Sequence, residues 1–538
     1  MVDSQPVRER LRRALKTLQM PALVALAYYL GAEAAFYIGT LSDRIYAPFW
    51  PPNIVLFCAL LLAPKRRWWL YILTTFPVHV LAEVAVGMPP AQLLVAFATN
   101  CIVAILNAIG VRRFLGGPPW FGTLRSASVY VLITCLLNPA IAALGGAFVQ
   151  ILGGGPINHY WMFWASWYIS NALISVTLGP VFLIWFSQHP RASGLTRQRK
   201  AEVVILAVTL VASCAIAFRV GTSTIPSGFL PALLYSPLPF ILWAAVRFGE
   251  KGTSGAILAV TVLSIWENLH GSTVFMSLDP ESNVLALQVF LMGLAVPVFL
   301  LGAAIDELRR NGKRMRDLAG SLLRAQDEER RRIARELHDS TGQNLVVAGL
   351  IADRIKTSAP ASSGAFVDEL TDILQRSILE IRTVSYLLHP PLLDVVGLSM
   401  ALRTYLGGFS RRTGLDVDLD LSPELERLPT DVELVLFRVI QEALTNVWRH
   451  SASATARIRL LRETNKDGPQ VKLTIEDVGK GIPASILLST LSSGTLEHQA
   501  LSGVGLAGMR ERLHQIGGRL EIDSMSGKTV IRAIVPLK

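Results

Sequence analysis

Residues 328–343, EERRRIARELHDSTGQ, set a single histidine among charges on a stretch too polar to be core. With Ile333 as reference, about 100° per residue brings Leu337, Asn344, Ala348, Ile351 and Ile355 within about 60° of it, a stripe suited to a partner helix. His338 falls about 140° away and faces out, with Arg331, Arg332 and Arg335 on the same outer side. The plain reading of such a histidine is solvated surface, but its neighbours offer chemistry. A neutral imidazole can attack a phosphoryl group through one ring nitrogen while an adjacent carboxylate orients or takes the other ring proton, a part open to Asp339. Gln343, one turn beyond Asp339, carries an amide that can hold a water in line for hydrolysis.

A second set of residues suits a nucleotide. Glu442 and Asn446 are one turn apart on the polar side of a predicted helix, and magnesium on phosphates takes few protein oxygens and keeps its waters. Asp477-Val-Gly479-Lys-Gly481 closes a predicted strand, placing a carboxylate where a base amino group could be received and glycines where backbone must approach a ring. Gly503-Val-Gly505-Leu-Ala-Gly508 opens a helix whose first amides suit phosphate, and residues 483–502 form the expected lid.

The histidine segment resembles the phosphoacceptor helix of sensor histidine kinases of the NarX and UhpB class, E-R-x-R-I-A-R-E-L-H-D-x-x-x-Q. The three later motifs, in this order, resemble the GHKL (Bergerat-type) ATPase fold of the same enzymes. That resemblance implies catalytic roles for His338, Asp339 and Gln343. It implies ATP held by Glu442, Asn446, Asp477, Gly479, Gly481, Gly503, Gly505, Gly508 and Thr529, with Mg²⁺ at Asn446 and Glu442. One departure is local: the family's G-x-G-T turn reads Ser526-Gly-Lys-Thr529 here and lacks its second glycine.

The elements that must position these groups follow from periodicity. Residues 306–327 read as a charged helical linker continuous with the histidine helix, and a polar break at 357–364 precedes a second amphipathic helix through Leu388. Such a hairpin cannot bury both faces alone, so a second copy completing a four-helix bundle is expected. Beyond residue 399 an α+β pattern appears, with strands near 415–421, 455–462, 471–477, 519–524 and 529–537. A helix at 431–450 turns Val432, Val435, Leu436, Val439, Ala443 and Val447 to the sheet and Arg438, Glu442, Asn446 and Arg449 away from it.

The 538 residues are 51% hydrophobic, and the apolar residues concentrate in 21–305. The net charge of +11 is spread between apolar runs, which reads as membrane topology and not as a nucleic-acid face. Ten candidate spans alternate with basic loops on one side, near 65–67, 112–125, 191–200, 247–251 and 309–316, which puts both termini inside. Four cysteines lie singly within apolar runs, with no disulfide or metal spacing. The run Trp50-Pro-Pro-Asn53 followed by Lys65-Arg-Arg-Trp-Trp69 resembles the signature of MASE-type membrane sensor domains. His79 and Glu83, one turn apart on a span, join Trp50 as candidate sensing residues, and Glu33, Asn100, Asn107, Asn138, Asn171 and Glu267 recur on others; the asparagines and the His79–Glu83 pair also fit hydrogen-bonded glue between helices.

The expected fold is multi-domain: a basic cytoplasmic N-terminus (1–20), a polytopic α-helical membrane domain (21–305), a linker helix (306–321), a dimeric four-helix-bundle phosphoacceptor domain (322–398) and an α+β ATPase domain (399–538). The resemblance implies a homodimer in the bacterial inner membrane, in contact with lipid. Its kinase half would sit in the cytoplasm and hand phosphate to a separate response regulator. Two rivals are a carrier with a regulatory ATPase and a scaffold with a degenerate kinase domain.

Overall fold

The computed structural model describes residues 5–40, 49–117, 121–185, 196–219, 233–269, 280–358, 364–388, 393, 396–422, 427–465, 468–483, 504–525 and 527–537. The chain divides into two compact units, Met1–Gly312 and Lys313–Lys538.

The first unit is helical. It contains α1 (Gln5–Thr40), α2 (Pro51–Leu62), α3 (Trp68–Ala85), α4 (Pro90–Leu115), α5 (Leu124–Val131) and α6 (Asn138–Leu152). There follow α7 (Tyr160–Trp185), α8 (Arg197–Arg219), α9 (Leu238–Leu269) and the first part of α10 (Pro280–Glu336). Among the described residues seven helices are long and apolar enough to cross a membrane, against the ten spans expected. The difference has local causes. The expected second span is the 12-residue α2, about 18 Å long, which falls short of a hydrocarbon core of about 30 Å. Its last carbonyls are instead satisfied inside the protein: Arg112 of α4 donates to Leu60 O and Leu61 O at 3.0 Å, with its guanidinium over the Trp68 ring. The expected eighth and ninth spans meet in α9, interrupted where Gly249 adopts φ +62°. Between α5 and α6 a π-helical turn, Leu132–Leu137, precedes Pro139, which has no N–H to continue the regular ladder. All four cysteines are free and buried.

In the second unit α10 passes through another π-helical turn, Leu337–Gly342, into α11 (Gln343–Ser358), and α12 (Gly364–Leu388) packs back against it. Asp339, Ser340, Thr341 and Gly342 all weaken regular helix, which explains where the ladder slips. The slip corrects the expected stripe. Ala334 and Ala352 are buried, with Ser385 Oγ of α12 donating to Ala334 O at 3.0 Å, whereas Ile351 and Ile355 are 52% and 49% exposed.

The remainder is a five-stranded sheet under helices: α13 (Leu398–Thr413), β1 (Asp416–Leu421), α14 (Thr430–Asn446), β2 (Thr455–Asn465), β3 (Gly468–Asp477), α15 (Val504–Gln515), β4 (Arg519–Met525) and β5 (Lys528–Pro536). Strand order is β1-β2-β3-β5-β4, parallel only between β1 and β2. Alternation along β2 buries Ala456, Ile458 and Leu460, which with Leu473, Ile475, Ala533 and Val535 form the face covered by helices. α14 is buried more widely than a single stripe requires, because Phe437 packs edge-on against Tyr405 of α13 while Leu436 and Val439 enter the same core.

Candidate functional site

A cavity of about 460 Å³, a size fit for a nucleotide, opens at the end of α14. Asn446, Asp477, Gly481, Gly505 and Thr529 line it, although they come from four stretches of sequence. Asp477 ends β3 and is buried; its Oδ1 accepts from Gly479 N at 3.0 Å. Burial pushes its carboxyl above the ordinary value, against the opposing pull of that amide and of the Ser451 and Thr529 side chains. Gly479 is obligatory on space, since a Cβ there would lie 2.3 Å from Ser451 O. Gly481 is obligatory on backbone as well, at φ +81° with Met525 O 2.7 Å from its missing Cβ.

Gly505, at the start of α15, leaves room for Glu442: a Cβ on it would fall 2.0 Å from Glu442 Oε1. Glu442 and Asn446 therefore face the helix N-terminus that is suited to phosphate. One carboxylate and one amide there fit Mg²⁺, which on phosphates needs few protein oxygens. Gly508 lies within the first turns of α15, while Gly503 and residues 484–502 of the expected lid are outside the described residues. At the altered turn before β5, Gly527 takes φ +93° and Met525 pairs with Lys528, while Ser526 lies outside the described residues. Lys528, standing where the family has glycine, reaches Glu476 at 3.2 Å.

His338, Asp339 and Gln343 are all exposed. The π turn changes their relation. Five residues on a regular α-helix put Gln343 about 140° from His338, and the wider π turn, Leu337–Gly342, changes that angle.

Sequence reasoning missed several residues. His450, Ser451 and Lys480 line the nucleotide cavity, and only the place of His450 one turn past Asn446 signalled any of them. Arg438 was expected on the open side of α14 but is 3% exposed. It donates to Leu388 O at 2.7 Å and pairs with Asp327 of α10 at 3.2 Å, while Arg512 of α15 reaches the other oxygen of Asp327 at 3.3 Å. Burial pulls the Arg438 guanidinium down to about 10, opposed by Asp327. A neighbouring cavity lies between Leu323, Gln326 and Arg330 of α10 and Glu442, Asn446 and Arg449, so the polar side of α14 looks onto the helix that bears His338.

In the first unit His79 and Glu83 are buried on α3, with His79 Nδ1 3.8 Å from Glu83 Oε1, and Trp50 caps α2 in sequence without a side-chain bond to it. Asn138 Nδ2 donates to Asn107 Oδ1 at 2.9 Å and Asn53 Nδ2 to Asn171 Oδ1 at 2.7 Å, the interhelical role open to such residues.

Residues 20–309, more than half of the chain, match the family model MASE1. The chain belongs to the MASE1 family. In this MASE1 protein residues 329–393 also match the model described as histidine kinase, and 431–538 that described as histidine kinase-, DNA gyrase B- and HSP90-like ATPase, which implies ATP binding. The MASE1 match and the apolar helices make it an integral membrane protein. Sensor histidine kinase MctS of Rhizobium johnstonii is 32% identical over 234 residues, 43% of this chain and 48% of that one. The histidine-protein kinase/phosphatase UhpB of Salmonella typhimurium is 27% identical over 314 residues, 56% of this chain and 57% of that one. The chain spans about half the length of these curated relatives. Among solved structures, the histidine kinase domain of the Erythrobacter litoralis EL346 blue-light-activated kinase aligns at a TM-score of 0.23 and 15% identity, covering 36% of this chain and 94% of that one.

Proposed function

We propose that the chain is a two-component sensor histidine kinase. A stimulus at the membrane domain (21–305) acts through the linker (306–321) on the phosphoacceptor hairpin (322–398), which receives phosphate from ATP bound by residues 399–538. The observation that carries this reading is the convergence of Asn446, Asp477, Gly481 and Gly505 on one nucleotide-sized cavity, in the unit whose first helix exposes His338. A ring nitrogen of His338 attacks the γ-phosphorus as the bond to the ADP oxygen breaks, with Asp339 orienting the imidazole. Asp477 receives the adenine amino group, and the first amides of α15 hold phosphate. Mg²⁺ at Asn446 and Glu442 would neutralise phosphate charge. The phosphoryl group then passes to an aspartate of a separate response regulator. In the reverse mode Gln343 orients a water against the regulator's acyl phosphate.

The described arrangement is not the transfer geometry. The polar side of α14 faces residues 323–330, and Arg330 precedes His338 by eight residues, about 12 Å along a helix, so transfer within one copy requires the ATPase domain to shift toward His338. The start of the linker is held by the membrane unit. Asp306 accepts from Glu250 N at the α9 break, Arg310 pairs with Glu250 at 2.7 Å, and Glu307 accepts from Leu124 N at the start of α5. These bonds support a path by which a helix rearrangement moves α10.

The test uses residues 313–538 with γ-labelled ATP. The unaltered fragment should take up acid-labile, base-stable label. His338→Gln should lose it while still binding nucleotide, and Asn446→Ala should lose at least about tenfold in rate while remaining folded. Label on the His338→Gln fragment would defeat the assignment of the acceptor, and an unchanged rate in Asn446→Ala would place the metal elsewhere.

A further inference from the structure

A cavity of about 80 Å³ lies inside the first unit, bounded by α1, the start of α2, α3, α4, α6 and α7. Four side chains on its wall each carry a buried polar atom that finds no hydrogen-bond partner among the described residues: Trp50 Nε1, Glu83 Oε2, Asn100 Oδ1 and Ser170 Oγ. Glu83, Asn100 and Ser170 are all more than nine-tenths buried. Buried polar groups are almost always paired, so four orphans around one void mark a place built for something else. Their bonding network says what. His79 Nε2 lies 3.4 Å from Leu93 O and must donate to it, which leaves Nδ1 to accept from Tyr28 Oη at 3.3 Å. Tyr28 in turn accepts from Asn100 Nδ2 at 3.4 Å. None of these bonds places a proton on Glu83 Oε2 or Asn100 Oδ1, which find no hydrogen-bond partner among the described residues.

The wall therefore presents two unsatisfied acceptors, one a carboxylate, and two donors, the indole N–H of Trp50 and the hydroxyl of Ser170. Phe36 and Trp167 add aromatic rings to the wall, groups that favour a cation, and Gly146 backs the Trp167 ring so closely that a Cβ would come within 2.1 Å of it. Among the described residues no group of three or more acidic, histidine or cysteine side chains could hold a metal ion. We propose that this cavity binds a small organic solute bearing an ammonium group, held by Glu83 and Asn100 and the aromatic rings, with an acceptor at its other end for Trp50 and Ser170. By the space one buried water needs, the cavity takes on the order of six non-hydrogen atoms, the size of an amino alcohol or a small amino acid. The site is the stimulus input if the sensor-kinase reading holds, and that further role rests on that reading.

The test is thermal unfolding of the full chain in lipid nanodiscs with methylammonium, ethanolamine or glycine. Sodium chloride and sodium acetate at equal ionic strength serve as controls. At least one ammonium probe should raise the Tm by about 2 °C or more while the controls do not. Glu83→Gln and Ser170→Ala should each raise the probe-free Tm, by removing an orphaned buried charge or hydroxyl, and abolish the probe's shift. A merely structural Glu83 would give a lower probe-free Tm in Glu83→Gln. That result overturns the proposal, as does the absence of a shift with all three probes, an equal shift with sodium chloride, or a shift retained in Glu83→Gln. Phosphorylation of the same nanodisc sample is read in parallel. A probe that shifts the Tm without changing phosphorylation leaves the binding site standing and removes its role as the input.

Discussion

At the scale of single residues, the reaction proposed here asks two different things of one helix turn. Attack by His338 needs a neutral imidazole oriented by a carboxylate, and dephosphorylation needs a placed water. His338, Asp339 and Gln343 lie on or beside one π turn, Leu337–Gly342, and all three are exposed, so one surface can serve both. Gln343→Ala should accordingly keep autophosphorylation and phosphotransfer but slow the decay of phosphorylated regulator by about tenfold or more. The decay is followed with the 313–538 fragment added, and equal rates for variant and unaltered fragment would make Gln343 plain surface. The residues proposed for this site can be picked out in the chain, since His338, Asp339 and Gln343 fall within six residues and Asn446, Asp477 and Gly505 sit in local motifs. Their register cannot. A slip of one residue in a helical ladder leaves no periodic signal, because it is written in weak helix formers such as Ser340, Thr341 and Gly342 and not in any apolar repeat.

Between elements, the principal departure from expectation is Arg438. Periodicity alone assigned it to an open face, correctly with respect to the sheet, but that face is covered by α10, whose approach depends on side chains more than a hundred residues earlier. Asp327 lies between Arg438 of α14 and Arg512 of α15, the two helices that also carry Asn446 and Gly505. The contact therefore clamps the nucleotide-bearing helices against α10 about 16 Å before His338, eleven residues along the helix. Removing one member of a buried ion pair leaves the other uncompensated, at a cost of about 3–5 kcal/mol. Asp327→Ala should thus release the ATPase domain, leaving two arginines facing each other, and raise basal autophosphorylation several-fold without weakening nucleotide binding. An initial-rate assay with labelled ATP decides it, and a fall in rate at full nucleotide occupancy would mean that the pair assists transfer and does not restrain it.

For the molecule as a whole, composition located the membrane half and the soluble half, while the span count depended on tertiary detail. Apolar length alone cannot tell α2, whose end is capped by Arg112, from a helix that ends in water, or show that two apolar runs join across Gly249. The expected dimer meets a similar test in the second unit. On α11, Val346, Val347, Leu350, Ile351 and Ile355 are between 41% and 60% exposed, and on α12 Phe366, Leu370, Ile373, Leu379 and Val384 are exposed as well. The hairpin has thus used its alanine face internally and left its larger side chains open. Exposure on this scale along two adjacent helices is far more than scattered surface residues require, and a second copy of the hairpin supplies the same apolar face in return. Ile351→Glu would place a charge in that interface while changing no contact within one copy's buried Ala334–Ala352 face, so the 313–538 fragment should pass from dimer to monomer with its helix content kept. Light scattering on the eluting fragment, with circular dichroism on the same sample, measures both. A dimer that persists with unchanged affinity would show that copies meet through some other surface. The monomer should also lose phosphorylation that depends on one copy reaching the other's His338, whereas a monomer retaining the full rate would mean that each ATPase domain serves its own hairpin.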